Sequence, residues 1–166
     1  RLLDAIVEDL PSPVKHGALE LDGLSLQADD DAELYAYVFK TRADPFAGRI
    51  NLFRVYQGVM KHDTQVVNAR TENKERIGQL LVFSGKDNEH VDEFGPGDIG
   101  AVAKLKETTT ADLLLSNDTP TEAPSLDFPQ PVMSFAITPK TKGDEDKVVT
   151  ALRRLAEEDP TLVLRR

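Results

Sequence analysis

The sequence predicts a mainly β chain: a closed β-barrel over residues 34–120, followed over 121–166 by the start of an α+β unit. Three observations carry this. Between residues 34 and 117 the apolar residues fall in short β runs with no helical period between them. Ten Gly and ten Pro are scattered rather than clustered, as many turns require. After Pro120 the pattern changes to strand, amphipathic helix, strand. Closing the sheet removes exposed edges, which favours a barrel over an open sheet for a segment of this length.

Taken in order, Leu2, Leu3, Ile6 and Leu10 lie near helical spacing, predicting a helix over 2–9 that Pro11-Ser12-Pro13 ends. Residues 13–33 read as an irregular acidic linker containing Asp29-Asp30-Asp31. Leu34-Tyr35-Ala36-Tyr37-Val38-Phe39 reads as a buried strand, and Ala43-Asp44-Pro45-Phe46-Ala47-Gly48 as a turn or loop. Over 49–56, Ile50, Leu52, Arg54 and Tyr56 alternate with Asn51, Phe53 and Val55, and Gln57-Gly58 breaks the run. A short strand over 65–69, a polar hairpin tip over 70–74 and a long strand over 75–83 follow. Residues 84–98 read as a polar connection with a tight turn at Gly95-Pro96-Gly97. Strands over 99–105 and 113–115 complete the set. Pro124, Pro129 and Pro131 mark a linker, 132–138 reads as a strand, and 144–158 as a helix with Val148, Ala151, Leu152, Leu155 and Ala156 on one face. Asp144, Glu145 and Asp146 favour that helix's N-terminus, Asp159-Pro160 stops it, and 162–164 begins another strand.

Composition narrows the chemistry. The chain has no cysteine, which excludes disulfides, thiolate nucleophiles and zinc–thiolate sites and fits a reducing cytoplasm. No apolar run reaches the ~18 residues of a membrane span. The net charge of −9 argues against generic nucleic-acid binding, so no DNA partner is expected. The acidity is concentrated in residues 1–33, with 2 basic and 9 acidic side chains, whereas residues 34–70 hold 6 basic and 2 acidic. A basic face on the barrel is therefore compatible with the overall charge. His16, His62 and His90 lie in separate predicted loops, and Asp87, Glu89, Asp92, Glu93 and Asp98 lack calcium-loop spacing, so neither a metal site nor a catalytic residue is signalled. Ser84-Gly85 belongs to no nucleophile elbow. The opening at Arg1 without Met, and the apolar run 161–164 just before the end, read as a piece of a longer chain.

Five blocks, in order, resemble the elongation factor G family. Leu2-Leu3-Asp4-Ala5-Ile6-Val7-Glu8-Asp9-Leu10-Pro11-Ser12-Pro13 is similar to the end of that family's GTPase domain. Ala43-Asp44-Pro45-Phe46-Ala47-Gly48-Arg49 with Phe53-Arg54-Val55-Tyr56-Gln57-Gly58 resembles the opening of its second domain. So does Gly97-Asp98-Ile99-Gly100-Ala101-Val102 followed by Leu105-Lys106-Glu107-Thr108-Thr109-Thr110-Ala111-Asp112. Ile137-Thr138-Pro139-Lys140-Thr141-Lys142 with Leu155-Ala156-Glu157-Glu158-Asp159-Pro160 is similar to the start of the third. The chain departs from the family in Gln57, where Ser is usual, in Asp63 and Ala111, where Gly is usual, and at Ser84-Gly85-Lys86, which points to a divergent paralogue. Asp at position 63 is tolerable because Asp visits left-handed turn conformations more readily than most residues.

The resemblance implies a translation-factor-type barrel, then a partial ferredoxin-like α+β domain. It implies a cytoplasmic parent that hydrolyses GTP with Mg²⁺ while working in translation elongation on the ribosome. This chain has no Gly-x4-Gly-Lys-Ser/Thr loop, since its one Gly-Lys pair, Gly85-Lys86, is preceded by Leu80 and followed by Asp87, so neither catalysis nor a cofactor is expected of it. Its expected partners are small-subunit ribosomal RNA and the GTPase domain of the same parent. Candidate RNA contacts are Arg49, Arg54, Lys74, Arg76, Lys104 and Lys106, led by Arg54 and Lys104, with an ordinary exposed charge as the other reading of each. Asp44, Pro45, Phe46 and Gly48 are candidates for contact with the GTPase domain, or else form a plain turn. The alternative is a structural spacer in a ribosome-protection or recycling GTPase, without RNA contact.

Overall fold

The computed structural model describes residues 1–21, 24–44, 47–85, 87–117, 121 and 126–165. Helix α1 (Leu2–Asp9) forms where the apolar spacing places it. A second, one-turn helix α2 (Pro13–His16) follows: Pro13 occupies its first turn, where a missing N–H costs nothing, and Ser12 Oγ accepts from the Lys15 N–H at 3.4 Å. Residues 13–33 are thus not an irregular linker. They hold α2 and an antiparallel hairpin, β1 (Leu19–Leu21) with β2 (Leu24–Leu26), whose three-residue strands are too short to give a period among acidic neighbours. Leu19, Leu24 and Leu26 pack on Tyr35, Leu113 and Leu115, so the hairpin roofs part of the main sheet's outer face.

That sheet is built from β3 (Tyr35–Asp44), β4 (Gly48–Gln57), β6 (Gln65–Asn68), β7 (Lys74–Arg76), β8 (Leu80–Ser84), β9 (Asp87–Val91), β11 (Ile99–Ala103) and β12 (Leu113–Leu115). All pairs are antiparallel, in the order β7-β6-β12-β3-β4-β11-β8-β9, and the short strands β5 (Met60–Lys61) and β10 (Glu93–Phe94) pair separately. The alternation read in β4 holds: Asn51, Phe53 and Val55 are buried and Arg54 is exposed. One core gathers Ala36 and Val38, Phe53 and Val55, Met60, Val66, Leu80, Phe94, Val102 and Leu114, so strands from both ends of the order meet around it. The hydrogen-bond order is linear, and among the described residues no ladder joins β7 to β9.

Two strand assignments change. The long strand expected over 75–83 is two strands, because around Ile77 the chain leaves its partner β6 for β11; Ile77 exchanges backbone hydrogen bonds with Asp63 and Thr64 at the crossing. The longest strands are instead β3 and β4, with 10 residues each. The polar connection over 84–98 contains β9 and β10. Strand β9 shows no apolar alternation because it lies at an edge with Asp87, Asn88, Glu89 and His90 exposed, a polar rim that discourages pairing with other chains.

The loop over 104–112 is held by buried carboxylates. Glu75 points inward from β7 and accepts from the backbone N–H of Lys106 and from both the N–H and Oγ1 of Thr108. Asp112 accepts from Asn68 Nδ2 at 2.8 Å, Arg70 Nε at 2.6 Å and the Thr109 N–H at 2.8 Å. Asn51 Nδ2 donates to the Thr108 carbonyl and to Thr41 Oγ1. Burial alone would raise the Asp112 carboxyl, but the hydrogen bonds from Arg70, Asn68 and Thr109 outweigh it and hold it below the ordinary 3.8. The loop also uses left-handed backbone at Lys104 (φ +68°) and Ala111 (φ +74°), as the turn before β6 does at Asp63 (φ +58°). The family's usual Gly at 63 and 111 suits this geometry, and Asp63 is tolerated for the reason given from sequence.

Beyond the sheet, helix α3 (Glu145–Glu158) follows a 3-10 turn over Lys142–Asp144. The strands expected over 132–138 and 162–164 do not form. Their backbone meets no partner strand among the described residues, and without one a strand's N–H and C=O groups gain nothing over water. Val132, Met133, Phe135 and Ile137 stand exposed, Val132 at 95%.

Replacing Asp112 with Asn should lower stability at pH 7 by about 2 kcal/mol in urea unfolding; the lower range applies because Arg70 is half exposed. Because the folded carboxyl titrates below 3.8, its contribution is complete above that value and lost as pH falls through the lowered one. The gap between wild type and Asp112→Asn should therefore close on acidification. Ala111→Gly should stabilise by about 0.5–1 kcal/mol, read as a rise of a few degrees in thermal midpoint, since glycine relieves the left-handed strain.

Candidate functional site

The six basic candidates are spread over β4, β7 and the loop after β11. Arg54 stands on the outer face of β4, opposite Tyr37 of β3 and Ile99 of β11. Its guanidinium lies 5.6 Å from the Tyr56 ring centre, two residues along the same face, and Tyr56 meets Tyr35 edge-on at 6.5 Å. Arg54 also borders a cleft of about 250 Å³ beneath the N-terminal segment, with Pro13 and His16 on the other wall.

Arg49 lies at the start of the same strand as Arg54, about 17 Å away by strand rise. Lys74 and Arg76 flank the inward Glu75 on β7 and are exposed. Arg76 Nη2 meets Asp63 Oδ1 at 3.0 Å, and that bond, with a lesser one from His62, holds the Asp63 carboxyl below its usual range. Lys104 and Lys106 expose their side chains while their N–H groups are fixed, Lys104 to the Arg49 carbonyl at 2.9 Å and Lys106 to Glu75. Lys104 and Lys106 thus sit on one clamped loop, while Lys74 lines a cleft with Gln65, Val67, Ser116 and Asn117. Arg49 is different: its side chain is 18% exposed, Nη1 donates to the Lys106 carbonyl at 2.9 Å, and Nη2 meets Glu157 of α3 at 2.9 Å. It lies between the sheet and the helix.

Of the other candidates, Asp44 Oδ1 accepts from the Ala47 N–H at 2.7 Å, and Gly48 has φ +76°, a conformation glycine adopts without strain. Pro45 and Phe46 lie outside the described residues. Of the three histidines, His16 lies at the N-terminal cleft, whereas His62, beside Asp63 and Asp92 at 3.4 and 3.8 Å, and His90 of β9 line one cleft of about 210 Å³. Among the described residues no three His, Asp or Glu side chains are grouped to hold a metal, and no helix is long and apolar enough to cross a membrane. The first turn of α3 carries Glu145 and Asp146, which would repel a phosphate.

Sequence reasoning overlooked Arg70, Thr41, Asn51, Asn68 and Glu75, which fix the basic loop. Their one signal is a polar residue, Asn51, on the otherwise apolar inner face of β4.

Residues 33–117 match the family described as Elongation factor G domain 2, and residues 128–166 match Elongation Factor G, domain III. The chain is 42% identical to Elongation factor G of Mycoplasma genitalium (strain ATCC 33530 / DSM 19775 / NCTC 10195 / G37), over 96% of this chain and 24% of that protein. It is equally identical, with the same coverage, to Elongation factor G of Mycoplasma pneumoniae (strain ATCC 29342 / M129 / Subtype 1). A crystal structure of a protein from Thermus thermophilus superposes with a TM-score of 0.78 at 33% identity, over 99% of this chain and 23% of the other. The chain therefore spans about a quarter of the length of these relatives. With both family matches in order along the chain, and the antiparallel sheet and α3 falling within them, the chain belongs to the elongation factor G family.

Proposed function

We propose that this chain is a non-catalytic docking and relay segment of a cytoplasmic translational GTPase. In this reading the sheet rests on small-subunit ribosomal RNA, and the chain passes nucleotide state from the parent's GTPase domain toward the α3 unit. GTP, Mg²⁺ and hydrolysis belong to that GTPase domain, and the parent's task is translocation in elongation. The observation that carries the reading is the clamped loop that bears Lys104 and Lys106, with Lys74 on the adjoining strand β7. Its backbone is fixed by Glu75, so its cations are presented to phosphates with little ordering left to do. Arg54, stacked on Tyr56, supplies a second point of contact. The segment 44–48 is the candidate contact with the GTPase domain, through Asp44, Pro45, Phe46 and Gly48.

The spacer reading has one observation in its favour: Arg49 and Arg76 are already ion-paired within the chain. It places the same module between other domains of a protection or recycling GTPase, with no RNA contact.

The test is co-sedimentation of the full-length parent with ribosomes across a salt series. Arg54→Gln combined with Lys104→Asn, the latter chosen because Asn accepts left-handed backbone, should weaken binding and flatten the log–log salt slope by roughly 0.7–0.9 for each phosphate no longer neutralised. An unchanged slope and affinity would leave the spacer reading standing. For the isolated chain, titration with a fluorescent GTP analogue should show no binding in the micromolar range; a saturable micromolar isotherm would remove the assignment of nucleotide chemistry to the rest of the parent.

A further inference from the structure

We propose that Arg49 and the Ala43 N–H form an ionic latch that holds α3 on the end of the β3–β4 hairpin, and that the latch opens when its charges are screened or removed. Two contacts make it. Arg49 Nη2 meets Glu157 Oε1 at 2.9 Å, and the Ala43 N–H donates to Glu158 Oε1 at 2.7 Å. The guanidinium is aimed before the helix arrives, because Nη1 is tied to the Lys106 and Thr108 carbonyls at 2.9 and 3.4 Å. Those carbonyls belong to the loop that Glu75 fixes.

On the helix side the charges lie where helix physics disfavours them. The last turn of α3 carries Glu157 and Glu158 and no basic residue, against the negative end of the helix dipole. A side-chain choice that weakens its own element points to a use outside it, and here that use is the sheet. Apolar packing adds little. No residue of α3 is buried, Leu155 is 50% exposed, and clefts of about 640 and 410 Å³ run beside the helix. Among the described residues no helix or strand lies between β12 and the 3-10 turn at Lys142, so the chain leading to α3 supplies a tether rather than a brace. A contact made of two carboxylates and little apolar area is sensitive to salt and to single charges, whereas a packed interface is not. The latch stands on contacts within this chain and does not depend on the ribosome-docking reading.

The chain has no native cysteine, so Asn88→Cys on β9 and Val149→Cys on α3 give a clean spin-label pair for pulsed dipolar distance measurement without ribosomes. At low salt the wild-type pair should give one narrow distance distribution. Glu157→Gln with Glu158→Gln should broaden it, and so should about 1 M NaCl, where the Debye length is about 3 Å; both changes should be at least roughly twofold. Arg49→Gln should do the same, and the helix-side pair guards against a loop disturbed by losing Arg49. A distribution that stays narrow in Glu157→Gln with Glu158→Gln and at high salt overturns the latch. So does one already broad in the wild-type pair at low salt.

Discussion

The structure turns on two buried carboxylates. The chain between β11 and β12 crosses the end of the sheet as an irregular loop, and irregular backbone carries N–H groups that no ladder can satisfy. Glu75 and Asp112 supply the acceptors, each for several donors at once, and Asn51 and Asn68 fill in from neighbouring strands. Taking carboxylates out of water is costly, and these are tolerated because nearly every oxygen is met by a donor. The consequence reaches outward. The loop's carbonyls orient Arg49, and its lysines point to solvent from a backbone that cannot yield.

How much of this the sequence disclosed depends on how far each feature is local. Strand β4 was legible from its alternation over 49–56, and the first part of β3 from its apolar run, but the end of β3, Ala43-Asp44, was read as a turn. Helices α1 and α3 were legible from spacing and from their proline stops. Strand β9 was not, since an edge strand needs only one neighbour and its exposed polar residues look like any loop. The hairpin β1–β2 escaped because three-residue strands leave no period to detect. Residues 132–138 misled in the other direction: Val132, Met133, Phe135 and Ile137 have strand composition, but a strand exists only where another strand meets it, and composition carries no partner.

The candidate site divides on the same principle. Exposed lysines could be named from their residue type, and the loop that carries them from its resemblance to the family. That Arg49 is turned away from solvent and toward α3 depends on Glu157, 108 residues further along, and no local pattern encodes such a contact. Glycine's usual place in the family at 63 and 111 did carry structural information. Both positions have left-handed backbone here, and in each this chain accepts a side chain that the geometry resists.

The hairpin β1–β2 changes where the sheet module can safely be cut. The family match for the second domain begins at residue 33, yet Leu19, Leu24 and Leu26 shield Tyr35, Leu113 and Leu115. A recombinant fragment started at that border would leave a greasy patch of tyrosine and leucine bare on the module's outside, and such preparations clump. The acidic stretch ahead of the sheet is thus part of its waterproofing, and its aspartates keep the lid itself dissolved.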